Sequence, residues 1–333
     1  MCRASPFLSC FAVGFLWAIP SAAQDISCSQ RTVSLNIIDA QRRLIRLSDP
    51  AYFDGKFGGK PVKIVSIKPD ERPHRIVVLL DSSGSMLGQP TGRKWQAALF
   101  TAAHIAKANL TNTSLSLLIF SEKVNEQIDF SQGAQAIAKR LSEIGSDRSY
   151  AKKHVRGTTA LLDAVLSALR LLGDAGLEDS IYVITDGDDN KSRARMRVVR
   201  EKLVNRGVRF YVSLLASERP GIITTEEKTG PAEFAELAAA TGGFVLGPLG
   251  VSPLGQVSYD LTEKERHGIA IGLDGLYMAM TRNDLVAVDF PLTVNRWSKW
   301  SLSLSPEEKT GHKDWLLVYP RELAPCPAQA NSN

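Results

Sequence analysis

The segment RIVVLLDSSGSMLG, residues 75–88, runs an apolar stretch into an aspartate followed by alternating hydroxyls, Asp81-x-Ser83-x-Ser85. Three chemistries suit such a string. A serine nucleophile needs a Gly-x-Ser-x-Gly elbow and a histidine base. SSGSM lacks the flanking glycine pair, and none of His74, His104, His154, His267 and His312 stands in a motif that nominates it. A phosphate cradle needs glycines leading into a Lys-Ser or Lys-Thr pair, and GQPTGRKW at 88–95 has neither the spacing nor the hydroxyl. Aspartate and serine oxygens are hard ligands suited to a small cation such as Mg²⁺, which keeps several waters. One loop cannot surround such an ion, and two further segments offer partners: RGTTALLDAV at 156–165 and IYVITDGDDN at 181–190.

These segments need elements that bring them together. IVVLL at 76–80, LSLLIF at 115–120, IYVIT at 181–185 and FYVSLL at 210–215 are short and almost continuously apolar, as strands covered on both faces are. Between them Trp95, Ala98, Leu99, Ala102 and Ala106 recur at helical spacing, as do Leu162, Val165, Leu169 and Leu172, and Met196, Val199 and Leu203. Strand and helix in alternation predict an α/β domain with a largely parallel sheet. Residues 115–130 hold two strand-like runs with only a few polar residues between them, too few for a parallel crossover, so they predict a hairpin that adds one antiparallel strand. Helices are expected at 133–144 and at 231–241, the second opening on Pro231. Open α/β sheets bind ligands outside the carboxyl ends of their strands, where Asp81 and Asp186 fall.

On these residues the chain resembles the von Willebrand factor type A domain family, with its metal-ion-dependent adhesion site. The family's Asp-x-Ser-x-Ser string appears as Asp81, Ser83 and Ser85, its threonine lies in GTTAL, and its later aspartate appears as Asp186 in TDGDDN. The resemblance covers roughly residues 74–250. Where many members have Gly-Gly-Thr-Ala-Leu, this chain has Gly157, Thr158, Thr159, Ala160 and Leu161, which makes Thr159 the expected ligand and puts Thr158 in a usual glycine position. The flanking segments resemble those of exported bacterial proteins that carry this domain.

The resemblance implies a doubly wound, mostly parallel sheet with one antiparallel edge strand, flanked by small β-rich N- and C-terminal segments. It implies that Ser83, Ser85 and Thr159 touch Mg²⁺ or Mn²⁺, with Asp81 and Asp186 acting directly or through water. Neutral hydroxyls leave such a cation only partly compensated, so a Glu or Asp carboxylate of a partner protein or anionic surface ligand would complete its coordination. The expected function is adhesion or protein interaction, without turnover of a substrate. A metal-dependent hydrolase, which would need a general base near the ion, and a scaffold with a vestigial metal site are the competing readings. Basic residues flank the site segments: Arg148, Lys152, Lys153, His154 and Arg156 before Thr159, and Lys191, Arg193, Arg195 and Arg197 after the TDGDDN segment. They form either a ligand-steering rim or a solvated surface.

The outer segments have a different texture. Residues 31–68 hold VSLNII, RLIRL and VKIVSI, and residues 275–319 hold LYMAM, LVAVDF, WSLSLS and WLLVY, read as two groups of strands of which the second would complete the first if the chain ends are tied together. The expected organisation is a signal peptide at 1–23, a β-rich module at 24–72, the type A domain at 73–250, and a C-terminal helix and β-rich extension at 251–333. The signal peptide is read from Arg3, the apolar stretch Phe7–Ile19 and the small residues before Gln24, and places the chain outside the cytoplasm, with no later transmembrane segment. The formal charge of +5 is mild and gives no reason to expect a nucleic-acid partner. Removing the leader leaves Cys28 and Cys326, one near each end, which in an oxidising compartment predict a disulfide tying the ends together, against the alternative of two unpaired thiols.

Overall fold

The computed structural model describes residues 29–87, 92–108, 110–187, 189–215, 225–247, 260–291 and 293–326. The expected leader, Cys28 and Asp188 lie outside these residues. In chain order, β1 (Gln30–Ile38), β2 (Leu44–Ile45), β3 (Phe53–Phe57) and β4 (Lys60–Pro69) come first. Next come β5 (His74–Asp81), α1 (Arg93–Lys107), β6 (Thr113–Phe120), β7 (Val124–Ile128), α2 (Gly133–Ser146), α3 (Arg148–His154) and α4 (Leu161–Leu172). They are followed by β8 (Asp179–Thr185), α5 (Met196–Arg206), β9 (Arg209–Leu214), α6 (Thr225–Thr241) and β10 (Val245–Leu246). The last elements are α7 (Glu263–Thr281), β11 (Asp284–Asp289), β12 (Ser298–Leu304), α8 (Pro306–Gly311), β13 (Leu316–Val318) and β14 (Glu322–Leu323).

A six-stranded sheet of order β10-β9-β8-β5-β6-β7 forms the centre. Every pairing in it is parallel except β6 with β7. Side chains alternate between the faces of a strand, and β5 shows the consequence. Ile76, Val78 and Leu80 enter a core with Trp95 and Leu99 of α1, Ile137 and Leu141 of α2, and Leu273 and Tyr277 of α7. Val77 and Leu79 enter the opposite core with Val165 and Leu169 of α4, Leu203 of α5 and Phe234 of α6. Helices on both faces explain why these strands are apolar throughout rather than at alternate positions.

The expectation of one mostly parallel sheet with small β-rich flanks is corrected by a second, eight-stranded sheet. Its order is β13-β1-β11-β4-β3-β12-β14, with β2 also paired to β1, and its pairings are antiparallel. The two outer segments of the chain build it together: β1 and β4 both pair with β11, and β3 pairs with β12. The reason is burial. β3, β11 and β12 each bury alternate residues, so each segment alone would leave an apolar face in water. Together they enclose Val33, Leu35, Phe57, Val286, Phe290, Trp300 and Leu302 in a third core.

Two local readings also change. LYMAM, read as a strand, is the end of α7: Leu273, Leu276, Tyr277 and Met280 follow helical spacing and pack against the central sheet. The helix opens on a capping box in which Thr262 and Glu265 satisfy each other's backbone amides. α6 begins at Thr225, so Pro231 lies inside it rather than at its first turn. Among the described residues, no helix is long and apolar enough to cross a membrane.

The joint between the sheets is polar. Asp70, at the exit of β4, accepts hydrogen bonds from Arg72 Nε and Nη2 and from Asn283 Nδ2, and Arg72 also pairs with Glu178. Burial raises the Asp70 pKa, but the Arg72 and Asn283 bonds outweigh it and hold the group at about 2. A folded pKa below the unfolded one contributes stability that is complete above the unfolded value and is lost as pH falls through the folded one. Asp70 is therefore expected to contribute about 2 kcal/mol at neutral pH, lost between pH about 4 and about 2. Urea melts of wild type and Asp70→Asn across that range check this, and an equal pH slope for both proteins would refute it.

Candidate metal centre and docking site

β5 and β8 lie side by side and parallel, with Leu80 opposite Ile184, so Asp81 and Asp186 leave the sheet at the same end. Asp81 accepts a 2.8 Å bond from the Ser83 N–H and a 2.7 Å bond from Thr185 Oγ1, which fixes both carboxylate oxygens. Ser83 Oγ lies 3.1 Å from Ser85 Oγ. Asp81, Ser83, Thr159 and Asp186 are buried, whereas Ser85 is partly exposed and marks the side open to solvent. Burial, and next the neighbouring charge of Asp186, push the Asp81 carboxyl well above its ordinary pKa, and the bonds from Thr185 and Ser83 only partly oppose this.

Three loops interlock around these groups through backbone bonds. The Arg156 N–H donates to Ser82 O and the Gly84 N–H donates to Gly157 O, both at 3.0 Å, joining the serine string to the GTTAL loop. Asn190 and Lys191 donate backbone N–H groups to Thr159 O, and the Thr159 N–H donates to Asn190 Oδ1 at 3.0 Å. Gly157 adopts φ +86°, and a Cβ there would press on the Glu122 side chain at 3.3 Å, so glycine serves this turn on both counts. Asp163, in the first turn of α4, accepts backbone bonds from Arg193 and Ala194, both at 3.0 Å, and so clips the third loop in place.

The two threonines point to different partners. Thr158 is exposed and its hydroxyl donates to Glu122 Oε1 at 3.0 Å, which holds Glu122 below its ordinary pKa. Thr159 is buried beside the interlocked loops. Sequence reasoning missed Lys94, whose ammonium pairs with Asp186 Oδ2 at 2.9 Å inside the protein. A lysine early in an amphipathic helix carries no signal that its side chain turns inward.

The chemistry of this donor set fits a small divalent cation. Among the described residues Asp186 Oδ1 is buried without a hydrogen-bond partner, a state that is costly for a carboxylate oxygen. Lys94 supplies one positive charge to a buried pair of carboxylates. Among the described residues, no group of three or more His, Cys, Asp or Glu side chains could hold a metal, so a cation here would rely on the hydroxyls of Ser83, Ser85 and Thr159 alongside the two carboxylates.

A helix-covered, mostly parallel sheet with polar loops interlocked at its carboxyl end defines a doubly wound α/β domain, the class in which ligands bind at that end. The von Willebrand factor type A domain family matches residues 76–188, the stretch that holds Asp81, Ser83, Ser85, Thr159 and Asp186. The chain therefore carries a von Willebrand factor type A domain, a protein-interaction module. Among solved structures, the BatB protein of Bacteroides thetaiotaomicron is 16% identical, with a TM-score of 0.38, over 61% of this chain and 98% of that one. An aerotolerance-related membrane protein from Bacteroides fragilis is 13% identical, with a TM-score of 0.36, over 62% and 98%. A von Willebrand factor type A protein from Catenulispora acidiphila is 14% identical, with a TM-score of 0.40, over 88% and 73%. No curated protein matches the chain.

Proposed function

We propose that this type A domain docks a partner protein or an anionic surface ligand through a Mg²⁺ or Mn²⁺ ion whose coordination is completed by a Glu or Asp carboxylate of that partner. The observation that carries the reading is the buried Asp186 Oδ1, left without a hydrogen-bond partner beside Asp81 and the Ser83–Ser85 hydroxyl pair. Ser83, Ser85 and Thr159 would touch the ion, and Asp81 and Asp186 would act directly or through water. The ion supplies a Lewis-acidic position for an incoming carboxylate. The chain's own part is orientation: Thr185 and the Ser83 amide hold Asp81, and Asn190 holds the Thr159 backbone. The leader-like segment 1–23 supports a setting outside the cytoplasm, where a Cys28–Cys326 disulfide would tie the two ends of the mature chain together.

Partner capture from the native exported fraction, with and without EDTA and with Asp81→Ala, tests the reading. Capture should fall with either change, and capture indifferent to both would sink it. Direct Mg²⁺ titration by calorimetry separates the ligands. Thr159→Ala should weaken the ion about 10–100-fold, the scale seen for well-placed metal-site groups, whereas Thr158→Ala should leave it within about twofold because that hydroxyl serves Glu122. Equal effects of the two substitutions would reassign the ligand.

A further inference from the structure

An open groove of about 930 Å³ lies between the β6–β7 turn, the GTTAL loop and α4, and its lining includes Gly157 and Ala160, which bracket Thr158 and Thr159 in the chain. Lys123, Arg156, Arg170, Lys191 and Arg193 line it, all exposed. Among the described residues none of the five forms an ion pair with a carboxylate; Arg170 donates only to Ser167 Oγ. The two acids in the groove have other tasks, since Glu122 accepts from Thr158 and Asp163 accepts from the amides of Arg193 and Ala194. The result is a concave surface with a surplus of positive charge one loop away from Thr159.

The walls are not only charged. Val124 and Leu166, both partly exposed, contribute apolar surface among the cations. A volume at the upper end of the range for ligand pockets holds several side chains rather than one small ion. A polyphosphate would meet the cations but would leave the apolar surface uncovered. An extended peptide that alternates acidic and apolar residues satisfies both, because its successive side chains can meet cations and apolar surface in turn.

We propose that this groove is a second subsite for an acidic, amphipathic segment of the partner chain, bound beside the carboxylate that docks at the metal centre. The proposal deepens the docking reading and rests on it for the position of that carboxylate. The groove would set partner choice and association rate through charge complementarity, while the ion would supply the single fixed point.

Fluorescence anisotropy with the full chain tests this, using a fluorescein-labelled peptide of alternating glutamate and leucine in Mg²⁺ and again in EDTA. The paired substitution Arg156→Gln with Arg193→Gln should weaken peptide binding roughly tenfold, as expected for two solvent-facing charge contacts, and added salt should weaken it further. Circular dichroism checks that the variant folds, and hydrogen exchange at residues 121–125 should slow when peptide binds wild type. Wild type that fails to bind the peptide, a paired variant that binds it equally well, or tripolyphosphate that competes as well as the peptide at equal charge would each overturn the groove. Binding lost in the paired variant but indifferent to EDTA and to Asp81→Ala would support the groove and defeat the metal-docking reading, so the two failures are distinguishable.

Discussion

Replacing Lys94 with methionine is expected to destabilise the protein by about 3–5 kcal/mol in EDTA, the usual cost of removing one partner from a buried ion pair. The Lys94 side chain is 8% exposed and that of Asp186 is fully buried. Methionine fills most of the lysine stem's volume, so the loss comes mainly from charge rather than from a cavity. Asp186 would then lie beside Asp81 with its ammonium partner gone, and burial together with the mutual repulsion that already raises the Asp81 pKa would both act against the fold. Under the docking reading a divalent cation offsets part of this loss, so saturating Mg²⁺ should raise the urea midpoint of Lys94→Met by more than that of wild type. Equal stability of the two proteins in EDTA would show that the pair contributes nothing, and an equal Mg²⁺ response would separate Lys94 from the metal centre.

Arg209→Met is expected to cost about 1–3 kcal/mol, because Met280 O is left buried without its side-chain donor while Ala279 O keeps the Tyr211 hydroxyl. Arg209 opens β9 and is completely buried. Its Nη1 donates to Ala279 O and Nη2 to Met280 O, the last-turn carbonyls of α7, and Nη1 also donates to the Tyr211 hydroxyl. A helix ends with carbonyls that have no partner inside the helix and a partial negative charge, and the guanidinium answers both needs. Replacing a buried ion pair by apolar groups can be neutral when both partners go. Here Met280 O stays while its donor is removed, so the loss should win. Urea denaturation measures the total, and hydrogen exchange should show the last turn of α7 opening more readily than α1. Unchanged exchange there would mean that packing of Tyr277 and Met280 alone holds the helix end.

Both residues show where sequence reasoning stops. The central strands were legible because burial on two faces leaves unbroken apolar runs such as IVVLL and IYVIT, and the β6–β7 hairpin was legible because its connection is too short for a parallel crossover. The three loops were legible as a set because each places oxygen-bearing side chains where a strand ends or a helix begins. LYMAM was misread because a five-residue apolar run has no period of its own; only the earlier turns Ile269 and Leu273 reveal the helix. The two strand groups of the second sheet were legible, but its extent was not, because strands that bury one face give the same local pattern whether they close on neighbours or on the far end of the chain.

The amino-acid sequence by itself determined the local terms. These are the apolar runs that make the central strands, the hydroxyls and carboxylates at their ends, and the order in which the three loop segments occur. Only the tertiary structure decided which remote groups meet: β1 with β11, Lys94 with Asp186, Arg209 with the end of α7, and the cations of the groove with the apolar residues between them. The physical reason is that strand and helix periodicities act over a few neighbouring residues. Pairing of distant segments is selected by the whole balance of apolar area and buried charge, which no single stretch of the chain contains.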